Sequence, residues 1–129
     1  MTSSRSAAQT ENDTVSGVPL LILTSLADGE KHGHGLMKDI ERFSGMHLGP
    51  GTLYKAMARL DERGLIEALD PDARRRPYRI TSSGVTVLER SLDRLGQVVD
   101  QGRQRLALTN LRPAHIVGWP DSTIGVNAT

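Results

Sequence analysis

Thr52, Lys55, Arg59 and Arg63 recur at spacings that bring them onto one side of a helix. With Thr52 at zero and 100° per residue, the three cations fall at about 300°, 340° and 20°. The chemistry open to such a stripe is electrostatic and hydrogen-bonding rather than covalent. Ammonium and guanidinium groups bond phosphates, guanidinium also pairs bidentately with guanine edges, and Thr52 adds a hydroxyl. Gly51 and Thr52 would sit in the first turn, where free amide hydrogens and the helix dipole favour an anion. Leu60, Leu53 and Met57 fall at about 80°, 100° and 140° and form an apolar stripe for burial. Tyr54, at about 200°, lies between the two faces. Its ring can close the edge of a core, or its hydroxyl can bond a phosphate.

A second basic cluster follows about ten residues later. Arg74, Arg75 and Arg76 are adjacent, and three neighbouring guanidinium groups repel one another unless an anion is near; on a projecting loop they can reach phosphates or a minor groove. Asp70 and Asp72 could instead balance them in a solvated loop. Arg79, expected on an outer strand face, is a weaker candidate. His34 can donate to a phosphate. His32 and His34, with Glu30 and His47 nearby in sequence, have side chains that zinc accepts. An i, i+2 pair in a Gly-rich turn fits the approach to a helix better, so no metal site is expected.

Nothing comparable supports catalysis. There is no cysteine, which removes thiol nucleophiles, disulfides, iron–sulfur clusters and thiolate zinc. No Gly-x-Ser-x-Gly elbow, phosphate loop or apolar carboxylate pair is present. Neither an enzyme nor a cofactor is expected.

The chain has 129 residues, with 37% apolar and 24% charged, a normal balance for one domain and too short for two cores with a linker. Phe43, Tyr54, Tyr78 and Trp119 are the only aromatic residues, so the core must be aliphatic. That scarcity also disfavours RNA or single strands, which are held largely by stacking, and favours duplex DNA. The net charge of +1 conceals a gradient: one Arg against four acids over residues 1–30, ten Lys/Arg against seven acids over 31–79, and five against four over 80–129. No apolar run approaches the roughly 20 residues of a membrane span, and residues 1–16 lack the apolar stretch of a signal peptide. The expectation is a cytoplasmic protein with no membrane contact.

The elements that must position these residues follow from the pattern. Residues 1–16 read as a disordered arm. Pro19, Leu20, Leu21, Ile22, Leu23 and Leu26, ending at Gly29, predict a short buried helix. After a turn at residues 33–35, Leu36, Met37, Ile40 and Phe43 predict an amphipathic helix closed by Gly45. The basic helix runs from Thr52 to Arg63 and stops at Gly64. Residues 65–69 and 77–81 predict a two-stranded hairpin with a charged tip, in which Pro77 suits an edge strand. Thr81 can cap a last helix over residues 82–108. Its apolar seam, Val85, Leu88, Leu92, Leu95, Val99, Gly102 and Leu106, alternates spacings of three and four. A helix of roughly 25 residues is about 37 Å long, more than so small a core can cover, so a second copy of the chain is the expected partner. Residues 109–129 read as a flexible tail.

The expected fold is mainly α with a small β-hairpin wing: a winged helix-turn-helix over residues 17–81, followed by a dimerisation helix. The strings LLILTSLADGEKHGHGLMKDIE, LGPGTLYKAMARLDERGLIE and RRRPYRITSSG resemble the PadR-like winged-helix transcriptional regulators, in the short form with one C-terminal helix. The resemblance spans residues 20–106. It implies a homodimeric repressor binding a pseudo-palindromic operator, with the helix from Gly51 reading the groove, the arginine wing on the backbone and the last helix making the dimer. His34 stands where the family often has an aromatic. The family commonly responds to xenobiotic or phenolic compounds, which leaves room for a small-molecule effector, although residues 82–108 contain no aromatic to stack one. The competing reading is an interaction module whose basic face meets an acidic protein.

Overall fold

The computed structural model describes residues 13–70 and 75–109. Among the described residues the chain divides into two units, one ending at Asp93 and one beginning at Arg94. In the first, helix α1 (Val18–Leu26) carries Pro19 in its first turn and buries Ile22, Leu23, Ser25 and Leu26. Proline is favourable there because its missing amide hydrogen has no partner to lose. Helix α2 (Gly33–Ser44) buries Gly33, Leu36 and Ile40 and ends at Gly45, whose φ of 76° is left-handed. Helix α3 (Pro50–Glu62) buries Leu53, Met57 and Leu60, the stripe that the helical spacing predicts. Together with Leu48, Leu65, Ile66, Val87 and Leu88, the apolar side chains among these form one aliphatic core. The mainly α fold with a small β wing is therefore the one observed.

Strand β1 (Lys31–His32) pairs with β3 (Pro77–Ile80), and β3 pairs with β2 (Ile66–Ala68), all antiparallel. This corrects two expectations. The sheet has three strands rather than two, and Pro77 lies on the central strand rather than an edge. Pro77 is tolerated because it opens the strand, opposite His32, and still accepts a bond from the Leu69 amide at 2.9 Å through its carbonyl; only its donor is missing. The Gly-His-Gly sequence is likewise not a turn before α2 but its first turn.

Lys31 holds β1 against the end of α1. Its ammonium donates to the Ser25 carbonyl at 2.5 Å and to Asp28 Oδ1 at 2.6 Å. That hydrogen bond, and secondarily the Lys31 charge, lowers the Asp28 pKa from its ordinary value. The Ser25 hydroxyl in turn donates to Asp39 on α2 at 2.5 Å.

Helix α4 (Ser82–Thr109) begins as expected: the Gly84 amide donates to Thr81 Oγ1 at 3.0 Å, and the Thr81 hydroxyl donates to the Gly64 carbonyl at 2.6 Å. Its first turns bury Gly84, Val87, Leu88 and Ser91. Leu88, placed on the partner-facing seam by its spacing, is only 6% exposed; it belongs to the internal core. Val85, Leu92, Leu95, Val99 and Leu106 are between 41% and 53% exposed.

The end of the expected arm is also ordered. Val15 packs on the core, its amide donates to Ser91 Oγ at 2.9 Å, and Asp13 pairs with Arg63. Residues 13–16 therefore belong to the folded unit, because one apolar side chain and two polar groups find partners there. Residues 1–12 and 110–129, the rest of the expected arm and tail, lie outside the described residues.

Candidate nucleic-acid interface

Burial of Leu53, Met57 and Leu60 turns the opposite side of α3 outward. Thr52, Lys55 and Arg59 are all exposed there, as is Gly51. No acidic side chain pairs with Lys55 or Arg59 among the described residues. Arg63 differs, since Asp13 neutralises it. Pro50 starts the helix, and its N-cap, Gly49, supplies no side-chain acceptor, so the first amide hydrogens are open to an external oxygen.

Tyr54 leaves the stripe and crosses to α2. Its phenol ring lies over Gly33, and a Cβ on that residue would sit 2.7 Å from Tyr54 Cζ and 2.8 Å from Cε1. A cleft of about 290 Å³ opens beside this contact. The first turn of α2 contributes Gly33 and His34, β1 contributes His32, the wing contributes Arg75 and Arg76, and β3 contributes Tyr78. The N-cap of α2 is His32, which makes no side-chain cap bond. A positive helix end, two guanidinium groups, imidazole and two phenols thus surround one cavity, which suits an oxyanion held by several donors.

The structure brings together His34, Tyr54, Arg75 and Arg76 from the sequence candidates. It leaves Thr52, Lys55 and Arg59 on the adjoining face of α3. Arg74 lies outside the described residues. Arg79 donates from Nε to Glu67 Oε2 at 2.6 Å across the β2–β3 pair, which commits it to the sheet surface. His32 and Tyr78 were missed as residues of the cleft. The signal for both was the pairing of β1 with β3, which sets Lys31 opposite Tyr78 and which a two-residue strand does not announce. His47 lies 3.5 Å from Glu41, and among the described residues no three His, Asp or Glu side chains gather as a metal site.

The sequence profile of the transcriptional regulator PadR-like family matches residues 22–90. The chain belongs to this family. It is 38% identical over 96 residues to the transcriptional regulator Rv3488 of Mycobacterium tuberculosis, covering 70% of this chain and 89% of that one. It is also 45% identical over 71 residues to an uncharacterised 37.1 kDa transposon protein of Streptomyces fradiae, a match that takes in 55% of this chain but only 21% of that protein's length. The fold resembles the crystal structure of a PadR family transcription regulator from Clostridium difficile, with a TM-score of 0.62, 23% identity and coverage of 69% of this chain and 97% of that chain. The PadR-like assignment runs from the second half of α1 to the first turns of α4, the part that carries every residue of the cleft. Among the described residues no helix is long and apolar enough to cross a membrane.

Proposed function

We propose that the protein is a cytoplasmic, DNA-binding transcriptional regulator that acts as a homodimer and represses by occupying a pseudo-palindromic operator. The observation that carries this reading is the cleft joining Tyr54, the α2 N-terminus and Arg75–Arg76, beside a face of α3 that presents Thr52, Lys55 and Arg59. The α3 stripe would enter a major groove and bond base edges and phosphates. The cleft would seat a backbone phosphate, with Gly33 and His34 amides, Tyr54 and the wing arginines as donors, and so fix the register of α3 along the groove. Contacts of this kind position the domain; α3 supplies the sequence preference.

The exposed seam on α4 supports the second copy. Val85, Leu92, Leu95, Val99 and Leu106 keep their half-exposed apolar surface in the single chain, and a facing helix would bury it as knobs into holes. A two-fold dimer presents two α3 helices to successive grooves about 34 Å apart. Occupancy of both grooves excludes other proteins from that stretch, which is the physical basis of repression. The chemistry is binding alone, without cofactor or covalent step.

Fluorescence anisotropy with a mixed-sequence duplex at several salt concentrations tests the reading. Binding that weakens steeply with salt, and weakens further in Arg75→Ala and Arg76→Ala, supports it. Binding to acidic protein but not to duplex DNA would replace it with the interaction-module reading.

A further inference from the structure

The cationic stripe of α3 ends at its C-cap, Arg63, in a residue that the domain itself neutralises. Lys55 and Arg59 have no ion-pair partner among the described residues, whereas Arg63, one turn further on, is paired with Asp13. The pair lies beside an anchored stretch of backbone. Asp13 stands two residues before Val15, whose amide is bonded to Ser91 Oγ and whose side chain packs on the core. Yet both partners stay accessible, with 39% of the Arg63 side chain and 40% of the Asp13 side chain exposed. An ion pair at that exposure is weak and readily exchanged.

Position on the helix says what Arg63 could exchange for. Helix α3 has 13 residues, about 20 Å of length, against a major groove about 12 Å wide. A helix laid across the groove therefore overruns it, and its last turn meets the flanking sugar-phosphate strand rather than base edges. Arg63 follows Lys55 and Arg59 at that end, on the same side by helical spacing.

We propose that Asp13 and Arg63 form an exchangeable latch, in which the Arg63 guanidinium leaves the Asp13 carboxylate for a backbone phosphate when α3 engages duplex DNA. The inference rests on the DNA-binding reading above. In the free protein the latch hides one phosphate-binding cation, and this lowers affinity for arbitrary duplexes. On a good site, where the other contacts are made, exchange releases residue 13 from α3 while Val15 stays anchored.

The test is a double-mutant cycle, using the full chain and a mixed-sequence duplex titrated at several salt concentrations. Asp13→Asn should bind about two- to fivefold more tightly with the slope of log affinity against log salt near that of the wild type, because Arg63 meets the same phosphate in both complexes, whereas Arg63→Ala should lower that slope by about 0.9. Arg63→Ala should abolish that gain when combined with Asp13→Asn. A gain that persists in the Arg63→Ala background would show that Asp13 acts only as a repelling charge, and the latch would be wrong. Unchanged affinity in Asp13→Asn, with a lowered melting temperature, would make the pair a structural tie, and a slope steeper than wild type by about 0.9 would mean that the pair stays closed on DNA; either result overturns the proposal. If the wild-type chain shows no salt-sensitive duplex binding, the DNA-binding reading fails first and the latch falls with it.

Discussion

Gly33 and Tyr54 interlock: the phenol ring of α3 occupies the space that a side chain on the first turn of α2 would need. The contact welds the helix expected to read DNA to the helix end expected to hold a phosphate. Gly33→Ala should therefore push the ring out of the cleft. Tyr54 is 50% exposed, so the far end of its side chain can swing into solvent, and the loss of stability should stay below about 1 kcal/mol. Duplex affinity should fall about tenfold, matching Tyr54→Ala, because a hydrogen bond to a charged oxygen is lost. Thermal melts and anisotropy on the same samples check both halves.

Gly84 makes the opposite case. A Cβ there would overlap the Leu65 backbone carbonyl and lie 2.7 Å from Ile80 Cγ1, and neither can retreat without moving the sheet. Gly84→Ala should destabilise the domain by about 3 kcal/mol and lower its melting temperature by more than about 10 °C. Calorimetry would detect this without any DNA.

Salt dependence separates the arginines and lysines by role. Lys55→Ala and Arg59→Ala should each reduce the slope of log affinity against log salt by about 0.9. Arg79→Ala should leave it unchanged, because Glu67 holds that guanidinium on the sheet surface. Equal effects from all three would mean that net charge, not placement, governs binding.

Along α4, one seam should give two different phenotypes. Leu95→Glu, at a side chain 47% exposed, should yield a folded monomer, whereas Leu88→Glu, at one only 6% exposed, should unfold the domain by burying a charge in the aliphatic core. Sedimentation velocity together with far-UV circular dichroism distinguishes the two.

The contrast at Leu88 shows what periodicity can and cannot say. Spacings of three and four identify an apolar seam, and the seam is there, but they carry no information on which turns the chain's own core already covers. Helix positions were legible where the chain has punctuation, with Pro19 at the start of α1 and Gly45 and Gly64 after α2 and α3; α3 itself starts at Pro50, two residues before the expected Thr52, and ends at Glu62. The stripe of Leu53, Met57 and Leu60 fixed which side of α3 faces out, and so placed Thr52, Lys55 and Arg59 on the exposed side. Strand β1 was not legible, since two residues show no alternation, and with it went the central position of Pro77 and the meeting of His32 and Tyr78 in the cleft. The tether at residues 13–16 was hidden for a similar reason. One valine and one aspartate among polar residues look like the rest of an arm until Ser91 and Arg63 are placed beside them.

The most direct test of the central claim is selection of bound duplexes from a random DNA library by the purified chain. A homodimeric regulator should enrich a two-fold symmetric motif whose half-sites are centred about one helical turn apart, with the symmetry lost in Leu95→Glu. Recovery of no enriched motif, with affinity that does not respond to salt, would contradict that claim.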